Sequence, residues 1–350
     1  MKEAMKSGRV LRLVFWETTV KCNLSCAHCR RIDTDAESYR DLSTEQAAGL
    51  IDQLAEVGKM QPMSPVLVFS GGEPLCRDDI FDLVAMAKER GVVPALATNG
   101  TLVDSDIARR IAESGVARAS ISLDGATADV HDQLRKLEGS FDRAIEGIGH
   151  LRGAGVPFQI NMTLTRHNAH QLEQVYELAR SLGAVAVHIF MLVPVGCGET
   201  LAETDMLSAE QYEEMMVEIA KLDGRGEIQM KVTCGPHYAR VTKQQGLDRS
   251  HGHPSGAKAP GAGHGVSRGC LAGLGGLFVA HQGDVFPCGY LPVKCGNVLE
   301  QSVSEIWRTS EDLARMGDSN ALEGKCGKCG YREICGGCRG RAFAATGNYM

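Results

Sequence analysis

Residues Leu11 to Cys29 read LRLVFWETTVKCNLSCAHC. The first part, Leu11–Thr18, is rich in apolar and β-favouring residues and predicts a strand. Three cysteines follow at once, with Cys22, Cys26 and Cys29 spaced C-x3-C-x2-C. In α/β folds the chemistry gathers at the C-terminal ends of strands, so these thiols stand where a site belongs. Three thiolates can hold three irons of a cubane and leave the fourth iron open, as a catalytic centre needs. A structural zinc site wants four ligands, and His28 is the local residue that could supply the fourth.

Working outward, short apolar runs alternate with amphipathic stretches to about residue 192. Further strands are predicted at Val66–Ser70, Val93–Thr98, Ala119–Leu123, Phe158–Leu164 and Val185–Leu192. Ser43-Thr44-Glu45-Gln46 reads as a capping box opening a helix to Val57. Helices are also expected at Asp79–Arg90, Asp104–Glu113, Phe141–Arg152 and Leu172–Leu182, several closed by Gly. About six strand–helix units imply a parallel sheet with helices outside, too few to close an eight-stranded barrel. The expected fold is thus α/β, a partial (β/α)6 barrel with a small Cys-rich C-terminal iron–sulfur extension. We divide the chain into the barrel (10–195), a connecting helical segment (196–243, with a helix at Ser208–Leu222), an insertion (244–268) and the extension (269–350). The insertion holds six Gly, two Pro and three His (His251, His253, His264) and reads as a solvated, flexible loop. From Cys270 onward the chain is Gly- and Cys-rich. After Leu222 the chain is expected to turn irregular, and the stretch from Cys270 to have a thin core that relies on metal.

Composition narrows the class. The 350 residues carry a formal net charge of −6, which argues against a nucleic-acid partner. No apolar run is long enough to span a membrane and no secretory signal opens the chain. A cytoplasmic, monomeric protein is the expectation. Thirteen cysteines in a reducing compartment point to metal ligands rather than disulfides.

Other motifs fall at the predicted strand ends. Gly71-Gly72-Glu73-Pro74 ends the second strand, Asn99 the third, and Ser122 and Asp124 the fourth; Arg135 follows. With the three-cysteine motif, this set resembles the radical SAM superfamily, whose enzymes use a [4Fe–4S] cluster to cleave S-adenosyl-L-methionine (SAM). The usual aromatic before the last cysteine is here His28. The resemblance implies that Cys22, Cys26 and Cys29 hold that cluster. It further implies that Gly71, Gly72, Glu73 and Pro74 meet the SAM ammonium, and that Ser122 and Arg135 meet its carboxylate. Asn99, Asp124, Asn161 and the backbone near Met191 would complete the SAM site.

Cys270-x12-Gly-x4-Cys288 and Cys326-x2-Cys329-x5-Cys335-x2-Cys338 together resemble the SPASM extension, which binds auxiliary [4Fe–4S] clusters. The resemblance implies Cys270, Cys288 and Cys338 for one cluster and Cys326, Cys329 and Cys335 for another. The last spacing is two residues where three are usual, and the final cysteine of the pattern is missing. One cluster is therefore expected to be incompletely ligated or absent, with Cys234 and Cys295 as spare thiols. Spacing alone also allows a zinc knuckle on Cys326, Cys329, Cys335 and Cys338. Cys76 and Cys197 read as ordinary thiols.

Longer stretches, among them 97–102, 158–161, 188–194, 234–238 and 287–292, resemble the SAM-dependent heme synthases of the siroheme-based pathway. That family implies an iron-porphyrin substrate, Fe-coproporphyrin III, whose two propionates become vinyl groups. It also implies a low-potential electron donor such as ferredoxin or flavodoxin. Arg30, Arg31, Arg166, His167 and Arg339 are candidate propionate contacts, since Arg pairs with carboxylates through two bonds. His188 and His237 are candidates for the porphyrin iron. The rivals are a sister enzyme acting on siroheme-derived side chains, in the heme or heme d1 pathway, a SPASM peptide maturase, and a non-catalytic iron–sulfur or zinc electron-transfer module. So few residues precede the first strand that no peptide leader-binding domain is expected.

Overall fold

A computed structural model describes residues 9–31, 40–247 and 269–350. The three histidines of the insertion lie outside the described residues. Strand β1 (Leu13–Glu17) is followed by α1 (Thr44–Lys59), β2 (Val66–Ser70), α2 (Ile80–Glu89), β3 (Val93–Thr98), α3 (Ser105–Ser114) and β4 (Arg118–Ser122). Then come α4 (Ala128–Arg135), α5 (Ser140–Gly153), β5 (Phe158–Leu164), α6 (Leu172–Leu182), β6 (Ala186–Met191), α7 (Ala209–Arg225), β7 (Gln229–Thr233) and α8 (Tyr238–Gln244). The last part holds β8 (Gly276–Val279), β9 (Asp284–Phe286), β10 (Gly296–Asn297), α9 (Val303–Thr309), α10 (Glu311–Gly317), α11 (Gly324–Gly327) and α12 (Arg339–Thr346).

All the strands form one open sheet in the order β10-β9-β8-β1-β2-β3-β4-β5-β6-β7. From β8 to β7 every pairing is parallel, with Leu13 beside Val66 on one side and Gly276 on the other. The predicted capping box is present: Ser43 accepts from the Gln46 N–H and the Gln46 side chain accepts from the Ser43 N–H. It aims the apolar stripe Leu50, Ile51 and Leu54 of α1 into the core shared with Trp16 and Phe69.

Three expectations need correction. The chain does not turn irregular after α7, because β7 pairs with β6 through His188↔Lys231. Its polar residues Gln229, Lys231 and Thr233 alternate with apolar ones, and a strand lining a barrel interior need not look like a buried run. A helix missing from the sequence reading, α4, is short and polar but ends on Arg135, a site residue. Finally, the segment from Cys270 is not uniformly thin. Leu277, Val279, Val303, Ile306 and Trp307 join the main core, and β8 is buried along its whole length. Only the part around the cysteines forms a separate small core, on Ala272, Leu291, Met316, Leu322 and Met350. No helix among the described residues is long and apolar enough to cross a membrane.

Candidate functional site

The loop after β1 is welded to the end of β2 by backbone bonds. The Gly72 N–H donates to the Thr19 carbonyl and the Glu73 N–H to the Lys21 carbonyl, each at 2.8 Å. A Cβ on Gly71 would stand 2.6 Å from the Thr19 oxygen, and one on Gly72 2.2 Å from the Lys21 oxygen. Gly71 also has φ +149°. The two glycines are thus required by the close approach of the cysteine-bearing loop, a use of missing side chains beyond the ligand contact inferred from sequence.

The Glu73 carboxylate is fully buried and faces β3. It accepts from Thr98 Oγ1 (2.7 Å), the Asn99 N–H (2.8 Å) and the Leu75 N–H (3.2 Å). Burial pushes its pKa up to about 7 against these bonds. Asn99 in turn bonds Asn23 between Cys22 and Cys26. Asp124 is equally buried. It pairs with Arg135 at 2.7 Å and His28 Nε2 at 3.3 Å, and accepts the Thr163 N–H at 2.7 Å. The Arg135 guanidinium extends to Cys26 Sγ at 3.7 Å. A fixed positive charge beside a thiol favours the thiolate form that metals need. His28, the proposed fourth zinc ligand, instead spends its Nε2 on Asp124.

These residues surround a cavity of about 340 Å³. Cys22, Cys26 and Cys29 line it, with Gly71, Gly72, Asn99, Ser122, Arg135, Asn161 and Met191. Glu73, Pro74 and Asp124 do not reach it. They stand behind the wall and hold it. The Cys22 thiol is pushed up to about 12 by burial and by the nearby charges of Glu73, Cys26 and Cys29. Thiols that repel one another in this way share one small space, and a positively charged iron core would relieve the repulsion.

A second cavity, of about 880 Å³, adjoins the first. Arg30, Phe278, Cys288, Gly289 and Tyr290 line both. The larger space is walled mainly by apolar groups, including Val195, Phe286, Leu291, Pro292 and Phe343. Arg31 lines only the smaller cavity. Arg166 is bonded to the Met206 carbonyl and Arg339 to those of Tyr349 and Met350, and neither lines either of these two cavities. His167 contacts the Val130 carbonyl. Neither His188 nor His237, the candidate iron contacts, lines either cavity. His188 is half-buried on β6 beside Gln159, and the His237 ring is tilted against that of Tyr212, 4.7 Å between centres. Burial lowers both pKa values, to about 3 and about 4.

Near the larger cavity the thiols sort into two groups. Cys234, at the end of β7 with φ 60°, hydrogen-bonds Cys338, and these two interact with Cys270 and Cys288. The Cys234 bond pulls the Cys338 thiol down, and sharing the proton pushes Cys234 up. Cys326, Cys329 and Cys335 form the other group, with Arg339 Nη2 donating to Cys326 Sγ at 3.2 Å. The zinc knuckle loses Cys338 to the first group. Cys295, the other spare thiol, bonds the Val293 carbonyl and lies elsewhere. Among the described residues no three His, Cys, Asp or Glu side chains close on a single ion. Thiols around a four-iron cubane stand farther apart than those around one zinc, so the wider sets suit a cluster. Arg341 ties the extension to the barrel. It donates to the Cys234 carbonyl (2.9 Å) and the Leu192 carbonyl (2.8 Å) beyond β6.

Residues 16–179 match the radical SAM superfamily, and residues 270–338 match an iron–sulfur cluster-binding domain, SPASM. The chain is 43% identical to the AdoMet-dependent heme synthase of Methanosarcina barkeri, over 97% of this chain and 94% of that one. It is 40% identical to the AdoMet-dependent heme synthase of Nitratidesulfovibrio vulgaris, covering 97% and 90%. In structure it is similar to SuiB of Streptococcus suis bound to S-adenosylmethionine, with a TM-score of 0.72, 16% identity, and coverage of 98% and 75%.

Proposed function

The chain belongs to the radical SAM superfamily and, within it, to the family of the AdoMet-dependent heme synthases, and on that premise we propose that it converts Fe-coproporphyrin III to heme b. The observation that carries this reading is the likeness to heme synthases at 40–43% identity over nearly the whole of both chains. The open joint between a small thiol-lined cavity and a large apolar one suits it, because a radical source must meet a large flat substrate.

Cys22, Cys26 and Cys29 hold the [4Fe–4S] cluster in this reading, with Arg135 offsetting the thiolate charge. Gly71, Gly72, Asn99, Ser122, Asn161 and Met191 shape the SAM site. Glu73 and Asp124 act from behind by fixing Asn99 and Arg135. Cys234, Cys270, Cys288 and Cys338 form a complete four-thiol set for an auxiliary cluster, and Cys326, Cys329 and Cys335 offer three ligands for a second. When bound, the first cluster supplies the electron that cleaves SAM. Overall, each propionate gives one β-hydrogen to the 5′-deoxyadenosyl group, then loses CO2 and one electron to leave a vinyl group. The apolar walls keep water from that β-carbon. A ferredoxin or flavodoxin as donor, a monomeric state and a cytoplasmic location complete the proposal.

The test is anaerobic incubation with SAM, a strong reductant and Fe-coproporphyrin III, followed by mass spectrometry. A monovinyl species should appear before heme b, with one 5′-deoxyadenosine formed per decarboxylation. Unchanged Fe-coproporphyrin III alongside side-chain loss from a siroheme derivative would transfer the activity to the sister reaction.

A further inference from the structure

We propose that Arg30 is the side chain that binds the reacting carboxylate of the substrate, at the neck where the large apolar cavity meets the thiol-lined one. This inference rests on the reading above and deepens it by assigning the group that orients the substrate.

Arg30 directly follows Cys29, so its charge is tied by the chain to the thiol motif. Its guanidinium is held on two sides. Nη2 donates to Glu17 Oε1 at 2.5 Å, and the plane lies 4.2 Å from the centre of the Phe278 ring. Glu17 is itself held, because its other oxygen meets His281 Nδ1 at 3.1 Å. Together these fix the guanidinium before any ligand arrives. Glu17 is the only hydrogen-bond partner of the Arg30 side chain among the described residues, and it uses one nitrogen. A guanidinium has five N–H donors, so an edge is left for a carboxylate.

Arg30 is also the only basic side chain among the described residues that lines the larger cavity. Glu17, already paired, and Glu199 are its acidic ones. A flat apolar ligand with several carboxylates therefore meets one guanidinium with donors to spare, and that group opens towards the thiols. One carboxylate at a time is drawn to the neck, while the others face away. Tyr290 stands at the same neck, with a hydroxyl that can donate to the same group. After one side chain has reacted, the ligand must turn before a second can reach Arg30.

The test is anaerobic absorbance titration of the cluster-loaded protein with two probes, Fe-coproporphyrin III and its tetramethyl ester. The ester keeps the macrocycle and iron but has no carboxylate. Arg30→Gln should weaken binding of the acid on the order of 10- to 100-fold, the range expected for a charged hydrogen-bonded pair. It should leave the ester unchanged. Arg30→Lys should fall between, because it keeps the charge and loses the fork. Phe286→Ala should weaken both probes alike, as a wall residue would. Equal losses of acid and ester in Arg30→Gln, or no loss of the acid, overturn the assignment of Arg30 even if the wild type makes heme b. A wild type that binds neither probe overturns this inference and the function reading together.

Discussion

The two halves of the site are built on different materials. The cysteine loop after β1 rests on a large apolar core and is locked by buried carboxylates, Glu73 to β3 and Asp124 to Arg135. The thiols at the C-terminal end rest on a small core of five buried apolar residues, into which Cys270, Cys288 and Cys326 themselves pack. In the first region the fold prepares the proposed ligands, so metal would add chemistry to a structure that already stands. In the second the ligands are part of the packing, so metal binding and local folding are one process.

The contrast is open to direct attack. The largest expected effect is from Cys22→Ala, which should reduce 5′-deoxyadenosine formation to background while leaving helix content and thermal midpoint near those of the parent. Circular dichroism beside product analysis checks this, and an unfolded variant would erase the difference between the halves. Next, removing iron with a chelator under anaerobic reducing conditions should strip hydrogen-exchange protection from amides in 318–350. Amides in β2 to β5 should stay protected. Equal protection in both regions before and after chelation would show that the small core stands without metal. The smallest effect separates two thiols. Cys234→Ala should cost up to about four iron atoms per chain, one cluster's worth, whereas Cys295→Ala should cost none. Iron analysis showing the same content in both variants would remove Cys234 from the ligand set.

Much of the barrel was legible in the residues. β2, β3, β5 and α6 have the predicted bounds, and the capping box at Ser43 forms as read. These signals are local, since periodicity and caps report the backbone within a turn or a strand. The two missed strands share one cause. β7 alternates polar with apolar residues and β8 follows a Gly-rich stretch, and each becomes regular through a strand distant in sequence, whereas α4 is missed because it is short and polar. The residues proposed for SAM were legible as neighbours of one cavity but not in their division of labour. Gly71, Asn99 and Arg135 line the cavity, while Glu73 and Asp124 brace it, because their carboxylates find backbone N–H groups and a guanidinium first.

By itself the sequence determined the kind of chemistry. Groups that must converge within a few ångströms can be encoded within a few residues, as the proposed ligands Cys22, Cys26 and Cys29 are, and strand-end motifs follow the chain order of a parallel sheet. Tertiary structure alone decided which distant groups meet. Cys234 joins Cys270, Cys288 and Cys338 only because β7 and the extension end at the same rim. Glu17 meets His281, 264 residues away, only because β8 lies beside β1, and that contact sets Arg30 at the neck between the cavities. A parallel pairing leaves no turn signal in the chain, so no local pattern could have announced it.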